Sequence, residues 1–389
     1  MSYGAPESPV PPGASSAGSP RPSAVPRAPT YPGAVSQTAA LIAAQLEDWG
    51  FVPSVVRDVF EDSTPERIAV TLDELCRRSL GSSIERSEFF RASVGSVHGL
   101  RLRDARRIVV KVHRTEASAA FLVAMQTVQR TLATEGFPCP EPLLGPTRLG
   151  RGMAVAEALL DRGGPADTHD PAIRRELAKA LASLVECCRG LTALEGLHQG
   201  LMASRRRHLW PRPHDGRFDF EATSAGAAWI DAIAADARRV LDGSDAGAWV
   251  VGHTDWRAGN MHFDAGKVSA VYDWDSLRIV PEPALVGSVA HLFTADYAAP
   301  DRRQVPTLDE ALGFAADYEA ARGKAFTGEE ARVLRAALTY SMGYTARCEH
   351  SDRSTDFGRH SPVPAKFSSV PVDSARGFLA AHGAELLAS

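Results

Sequence analysis

The sequence predicts an α+β fold with two lobes: an antiparallel sheet in the N-terminal lobe and a mostly helical C-terminal lobe. Short apolar runs separated by turn signals fill residues 85–112, a pattern typical of an antiparallel meander. After a further apolar segment at 153–160, apolar residues recur at helical spacing. We therefore divide the chain into a tail (1–33), an N-terminal lobe (34–160) and a C-terminal lobe (161–389).

The composition is that of a globular protein, with 44% hydrophobic and 23% charged residues among 389. A formal net charge of −4 argues against a nucleic-acid partner, which usually requires a basic excess. No apolar run reaches the roughly 18 residues of a membrane span, and the N-terminus shows no signal peptide. The five scattered cysteines lack CxxC spacing and indicate reduced thiols. We therefore expect a cytoplasmic protein with neither nucleic-acid nor membrane partners.

The tail is rich in Pro, Ser, Gly and Ala, and such a segment buries too little apolar surface to offset its ordering entropy. We expect it to be disordered. An amphipathic helix is predicted at 36–49 and a second at 64–80. Thr64 suits the N-cap of the second helix, because Pro65 follows at the first helical position.

The meander is predicted to contain strands at 89–92, 100–102 and 107–112. Small residues between the first two strands, Ser93, Gly95 and Ser96, would let backbone N–H groups approach a phosphate. Lys111 lies inside the apolar third strand. Taken alone, a lysine there is best explained as an edge residue whose ammonium group reaches solvent.

Helices account for most of the remaining chain. A helix at 118–135 should bury Phe121, Met125, Val128 and Leu132 on one face. The apolar run at 153–160 is predicted to be a strand. Further helices are predicted at 171–191, 223–241, 308–322 and 328–347, with a last one beginning near Asp373.

The segment 250–276 has the most specific pattern in the chain. His253-x-Asp255 is followed by Asn260, then by a hairpin, then by Asp273-Trp274-Asp275. Asp264-Ala265-Gly266-Lys267 is a turn signal between two apolar runs. If Ala265-Gly266 is the two-residue loop, Phe263 opposes Val268 and Asn260 opposes Val271.

That register would place Asn260 and Asp273 on one face, at the open end of the hairpin. Diagonal neighbours of this kind lie roughly 7–8 Å apart, so an amide oxygen and a carboxylate could share one cation. Asp255 lies just upstream, in the loop before the first strand. A hard cation that accepts oxygen ligands and retains water is Mg²⁺.

This ordered set resembles the catalytic and metal-binding segments of the aminoglycoside phosphotransferase family, with Thr254 in place of a usual Gly. The resemblance covers roughly residues 85–295 and implies a bilobal protein-kinase-like fold. By this resemblance Asp255 would orient or accept the proton of the attacking hydroxyl. Asn260 and Asp273 would hold Mg²⁺ on the phosphates of ATP or GTP.

The resemblance also assigns roles in the N-terminal lobe. Lys111 would be the third-strand lysine that contacts the α- and β-phosphates, and the backbone of Glu157 and Leu159 would bind adenine. The family places an acidic residue in the following helix to fix this lysine. No Glu lies in the middle of that helix here; the nearest candidates, Gln126, Gln129 and Glu116, leave the partner open.

These observations favour a kinase that transfers a phosphoryl group from ATP or GTP to a small-molecule hydroxyl. A protein substrate is disfavoured because no activation segment with Ala-Pro-Glu follows Asp275. The alternative from another class is an inactive, nucleotide-binding regulator of the same fold. A metal hydrolase using His253, Asp255, His262 and Asp264 is also conceivable, but the hairpin register does not bring these side chains together.

Overall fold

The N-terminal lobe is built on a five-stranded antiparallel sheet, in which the strands lie side by side in the order first, second, third, fifth and fourth along the chain. The computed structural model describes residues 33–48, 52–92, 95–114, 117–203, 207–213, 218–299, 301–354 and 375–388. Residues 1–32 of the predicted tail lie outside these ranges. The strands are β1 (Ile84–Ala92), β2 (Ser96–Leu102), β3 (Arg107–His113), β4 (Pro142–Leu149) and β5 (Gly152–Ala158).

Helices cover both faces of this sheet. One face of β3, represented by Val110 and Val112, packs in an apolar cluster with Ile42 and Leu72. These contacts come from the first three helices, α1 (Gly33–Asp48), α2 (Val52–Val59) and α3 (Pro65–Leu75), the last of which continues as a π-helical turn, Cys76–Leu80. Because side chains alternate along a strand, Lys111 points to the opposite face.

That opposite face meets α4 (Ala119–Thr134). The side chain of Ser118 caps the helix by accepting from the Phe121 N–H at 3.1 Å. All four residues predicted for the apolar stripe of this helix are buried. Strand β4 was not expected, because Gly145-Pro146 interrupts its sequence. Proline is tolerated there because β4 is the edge strand, where one side of the backbone needs no ladder partner.

In the part of the chain that the structure describes, the C-terminal lobe contains six α-helices and two antiparallel pairs of short strands. The strands β6 (Trp249–His253) and β9 (Leu277–Pro281) pair with each other, as do β7 (Met261–Asp264) and β8 (Lys267–Val271). The helices are α5 (Pro171–Cys187), α6 (Ala228–Gly243), α7 (Glu282–Leu292), α8 (Leu308–Arg322), α9 (Gly328–Ser354) and α10 (Ala375–Ala388).

Helix α7 begins directly after β9, with Pro281 as its N-cap and Pro283 in its first turn. A proline is favourable at this position, because the first N–H groups of a helix have no partner inside it. No helix within the described ranges is long and apolar enough to cross a membrane.

Candidate functional site

The β7–β8 hairpin differs from its predicted register by a bulge. Ala265 and Gly266 form the loop, with φ of 48° and 77°, and Phe263 opposes Val268 as predicted. His262 then pairs with Ala270, so that Ser269 is an extra residue. The predicted pairing of Asn260 with Val271 is therefore wrong.

Contacts outside the hairpin explain this bulge. The Ser269 hydroxyl donates to the backbone oxygen of Arg162 at 2.8 Å. Gly164, two residues further on, pairs with Phe263 through backbone hydrogen bonds of 3.0 and 2.7 Å. The segment that follows β5 thus binds the edge of the hairpin. The sequence of the turn alone could not predict this contact, because the segment lies about 100 residues earlier in the chain.

The bulge places Asn260 opposite Tyr272, whose N–H donates to the Asn260 backbone oxygen at 2.9 Å. Simple alternation would then turn Asp273 to the other face. The alternation of a regular strand does not apply to Asp273, because its backbone is left-handed, with φ 62° and ψ 46°. Such a conformation costs a non-glycine residue about 1–3 kcal/mol and is concentrated at functional sites.

Asp255 is held by two neighbours. The Asn260 amide donates to the Asp255 carboxylate at 2.7 Å and to its backbone oxygen at 2.9 Å. The Arg257 Nε donates to both carboxylate oxygens at 3.0 and 3.1 Å. Both N–H groups of Asn260 are therefore committed to Asp255, which leaves its Oδ1 atom to face another partner. The Asp255 side chain remains 35% exposed and thus accessible to a substrate.

His253 connects this loop to the Asp273 segment. Its Nε2 lies 2.8 Å from the backbone oxygen of Tyr272, and its ring packs edge-on against Trp256 and Trp274. Burial lowers the pKa of His253, more than the nearby carboxylates raise it, so the ring is neutral at pH 7. With a carbonyl as partner, Nε2 carries the proton. His253 thus ties the strand before Asp255 to the backbone just before Asp273.

Lys111 lies on β3, between β2 and β5, and the edge interpretation is therefore wrong. Its Nζ forms an ion pair with Glu157 Oε1 at 3.0 Å. The Gln129 amide of α4 donates to Glu157 Oε2 at 2.9 Å. Burial opposes the charge of Lys111, but the carboxylates of Glu157, Asp273 and Asp275 outweigh it and raise its pKa above the usual value. Lys111 is therefore protonated at neutral pH.

The other residues expected to contact the nucleotide make contacts within the protein. Glu157 presents a buried side chain to Lys111, and the Leu159 N–H donates to the Arg107 backbone oxygen at 3.0 Å. That amide is therefore not free to donate to adenine in this conformation. Ser96 lies within β2, buried, with its hydroxyl 3.1 Å from His98 Nε2. Ser93 is outside the described residues.

Gly95 remains in the loop between β1 and β2. A Cβ atom there would lie 2.5 Å from the backbone oxygen of Val112, so only glycine fits. This close approach keeps the loop against β3, the strand that carries Lys111.

The donors near the hairpin suit a hard cation held only partly by protein. The Asn260 Oδ1 and the Asp273 carboxylate are oxygen ligands, which Mg²⁺ prefers. Within the described ranges, no three His, Cys, Asp or Glu residues cluster so as to hold a metal. A cation here would complete its coordination with water or substrate oxygens, as Mg²⁺ does at nucleotide sites.

The hydrolase constellation does not form. The His262 ring bonds to the Tyr272 hydroxyl at 3.0 Å, and Asp264 pairs with Arg162 at 2.6 Å. These side chains are engaged separately from Asp255.

Sequence reasoning did not anticipate the contacts that Arg257 and Asp275 make in this region. Arg257 follows Asp255 by two residues, and its guanidinium also lies 4.9 Å from the centre of the Tyr297 ring. Asp275 follows Asp273 by two residues, and its carboxylate lies 4.0 Å from His113 Nδ1. The spacing from a predicted site residue was the available signal in both cases.

A sequence model described as the phosphotransferase enzyme family matches residues 99–323. No curated protein sequence matches the chain. Spectinomycin phosphotransferase in complex with ADP and spectinomycin has 13% identity and a TM-score of 0.52, covering 80% of this chain and 97% of its own.

Two further structures resemble the chain to a similar extent. Amicoumacin kinase in complex with AMP-PNP and Ca²⁺ has 10% identity and a TM-score of 0.53, covering 83% of this chain and 96% of its own. An aminoglycoside phosphotransferase from Alicyclobacillus acidocaldarius has 14% identity and a TM-score of 0.50, covering 80% and 96%. These likenesses confirm the predicted α+β, protein-kinase-like fold.

Proposed function

This chain belongs to the phosphotransferase enzyme family and is a small-molecule kinase, and we propose that it transfers the γ-phosphoryl group of ATP or GTP to a hydroxyl group. Phosphoryl transfer requires little covalent chemistry from the protein. It depends on in-line positioning and on stabilisation of the phosphate charge. The residues that position the reactants and those that stabilise the phosphate charge must therefore lie close together.

The observation that carries this proposal is the convergence of Asp255, Asp273 and Lys111. Asn260 donates to the Asp255 carboxylate at 2.7 Å, and its backbone oxygen accepts from the N–H of Tyr272, the residue before Asp273, at 2.9 Å. The charge of Asp273 in turn acts on Lys111 of the N-terminal lobe. Asp255 accepts or orients the hydroxyl proton, since its carboxylate is fixed by Asn260 and partly exposed. Lys111 contributes a protonated donor to the nucleotide phosphates.

Asn260 and Asp273 would hold Mg²⁺ when nucleotide binds. The ion supplies neutralisation of the phosphate charge there. The residues fit it, because the Asn260 amide uses both N–H groups on Asp255 and so presents oxygen outward.

We propose a neutral or acidic acceptor rather than a polycation. Arg257 places a positive charge directly beside Asp255, which disfavours an amine-rich substrate at the reacting hydroxyl. Three acids of the C-terminal lobe that might bind amines are already paired within the protein. Glu282 bonds to Tyr318, Glu310 to Arg303, and Asp317 to Arg174.

The test is a turnover screen with ATP and GTP against hydroxyl-bearing antibiotics, sugars and metabolites, using mass spectrometry to detect an added phosphoryl group. Asp255→Asn, close in shape but without the negative charge, is the matched control. We expect a phosphorylated neutral or acidic alcohol from the wild type only. Mg²⁺-dependent nucleotide binding without transfer to any acceptor would instead support the inactive regulator.

A further inference from the structure

Lys111 lies between two sets of acidic groups. Glu157, on β5, is its ion-pair partner at 3.0 Å. Asp273 and Asp275, beyond β8, are close enough for their charges to act on Lys111. Among the described residues, neither Asp273 nor Asp275 lies within 4.0 Å of the Lys111 ammonium group as an ion-pair partner.

Glu157 is itself fixed in place. Its side chain is buried, and its second carboxylate oxygen accepts from Gln129, whose side chain is buried as well. The sequence analysis found no carboxylate at the middle of α4. The structure supplies one from β5 and uses the neutral amide of Gln129 to orient it.

We propose that Glu157 is a positioning residue that holds Lys111 away from Asp273 and Asp275, so that these carboxylates stay free for the cation–nucleotide complex. This inference rests on the proposed function. Lysine is a compact charge on a flexible four-carbon stem and follows the strongest nearby field. Without Glu157, the ammonium group would move to Asp273 and compete with Mg²⁺ for it.

The Glu157→Gln substitution tests this directly, because it removes the charge and keeps the shape. The amide oxygen of the new side chain can accept a hydrogen bond but lacks the negative charge that holds the Lys111 ammonium group, and the Gln129 amide can rotate to accept from its NH₂ group, so that no buried polar group loses its partner. We measure binding of a fluorescent ATP analogue to the full chain as Mg²⁺ is titrated. The Mg²⁺ concentration for half-maximal binding should rise at least about fivefold, the lower end of usual coupling between two equilibria.

A variant lacking Lys111 distinguishes positioning from a structural role. In the Lys111→Met background, Glu157→Gln should leave the Mg²⁺ requirement unchanged, because the competing ammonium group is absent. An equal rise in both backgrounds, or a change of less than twofold in the wild-type background, would overturn the inference.

A second variant, which moves the buried charge to a neighbouring position, keeps the inference testable if Glu157→Gln alone does not fold. Gln129→Glu combined with Glu157→Gln retains the chain of hydrogen bonds and moves the carboxylate one link away, onto α4. We expect it to fold and to recover most of the wild-type Mg²⁺ requirement; a folded variant with the requirement of Glu157→Gln would contradict us. If the wild type binds no nucleotide at any Mg²⁺ concentration, the proposed function fails first, and the inference falls with it.

Discussion

Asn260 provides the sharpest test of how the loop is organised, because one side chain has two separable roles. Replacing it with alanine removes a hydrogen bond to a backbone oxygen at 2.9 Å and one to a carboxylate at 2.7 Å. A neutral hydrogen bond contributes about 0.5–1.5 kcal/mol and one to a charged group about 1.5–3 kcal/mol. Asn260→Ala should therefore lower the free energy of unfolding by about 2–4.5 kcal/mol.

Under the proposed function, the same two bonds orient Asp255 towards the acceptor. If their loss is expressed fully in the transition state, kcat falls about 30- to 2,000-fold. Urea denaturation measures the first quantity and steady-state kinetics the second. Wild-type values of both the unfolding free energy and kcat would refute our account of the loop.

Asn260→Asp is the matched control, since it keeps the shape but replaces two donors with acceptors beside Asp255. We expect it to be at least as destabilised as the alanine variant without Mg²⁺, because two carboxylates then lie within hydrogen-bonding distance. Added Mg²⁺ should restore stability to the aspartate variant and not to the alanine variant. The opposite order would show that Asn260 faces no cation.

Three further predictions concern stability and nucleotide binding. Burial lowers the pKa of His98 to about 3, against about 6.5 when unfolded, so only the unfolded chain binds this proton between these values. The free energy of unfolding should thus fall by up to about 1.4 kcal/mol per pH unit below pH 6.5, and less so in His98→Gln, as measured by urea denaturation. Gly95→Ala should weaken nucleotide binding in a fluorescence titration, because its Cβ meets the Val112 oxygen at 2.5 Å; unchanged affinity would contradict a role for the loop. Ser118→Ala should cost about 1 kcal/mol in thermal unfolding through loss of the bond from Phe121, and Ser118→Thr should retain most of it.

Local patterns predicted the elements that depend on local chemistry. The stripe on α4 and the loop at Ala265-Gly266 follow from spacing and turn preference, and both are present in the structure. The sequence pattern of the hairpin also predicted that Asp255, Asn260 and Asp273 lie near one end of it. The register behind that grouping was wrong, and the left-handed backbone of Asp273 compensates for the bulge at Ser269.

The missed features depend on contacts between distant segments. The partner of Lys111 could not be found along α4, because Glu157 reaches it across neighbouring strands, 46 residues later in the sequence. At the bulge, the Ser269 hydroxyl donates to the backbone oxygen of Arg162, which lies in the segment following β5. Neither interaction leaves a periodic signal, since each is decided by tertiary packing rather than by the propensity of the segment itself.

The central claim is that the protein moves the γ-phosphoryl group to a hydroxyl at a site served by Asp255. The most direct measurement is a single-turnover reaction with γ-labelled ATP or GTP and an accepted alcohol, followed by separation of labelled product from inorganic phosphate. We predict that the label appears in the alcohol, and that Asp255→Ala slows this step about 10²- to 10⁴-fold, the usual contribution of a positioned base. Transfer at the wild-type rate in that variant, or label found only in inorganic phosphate, would contradict the account.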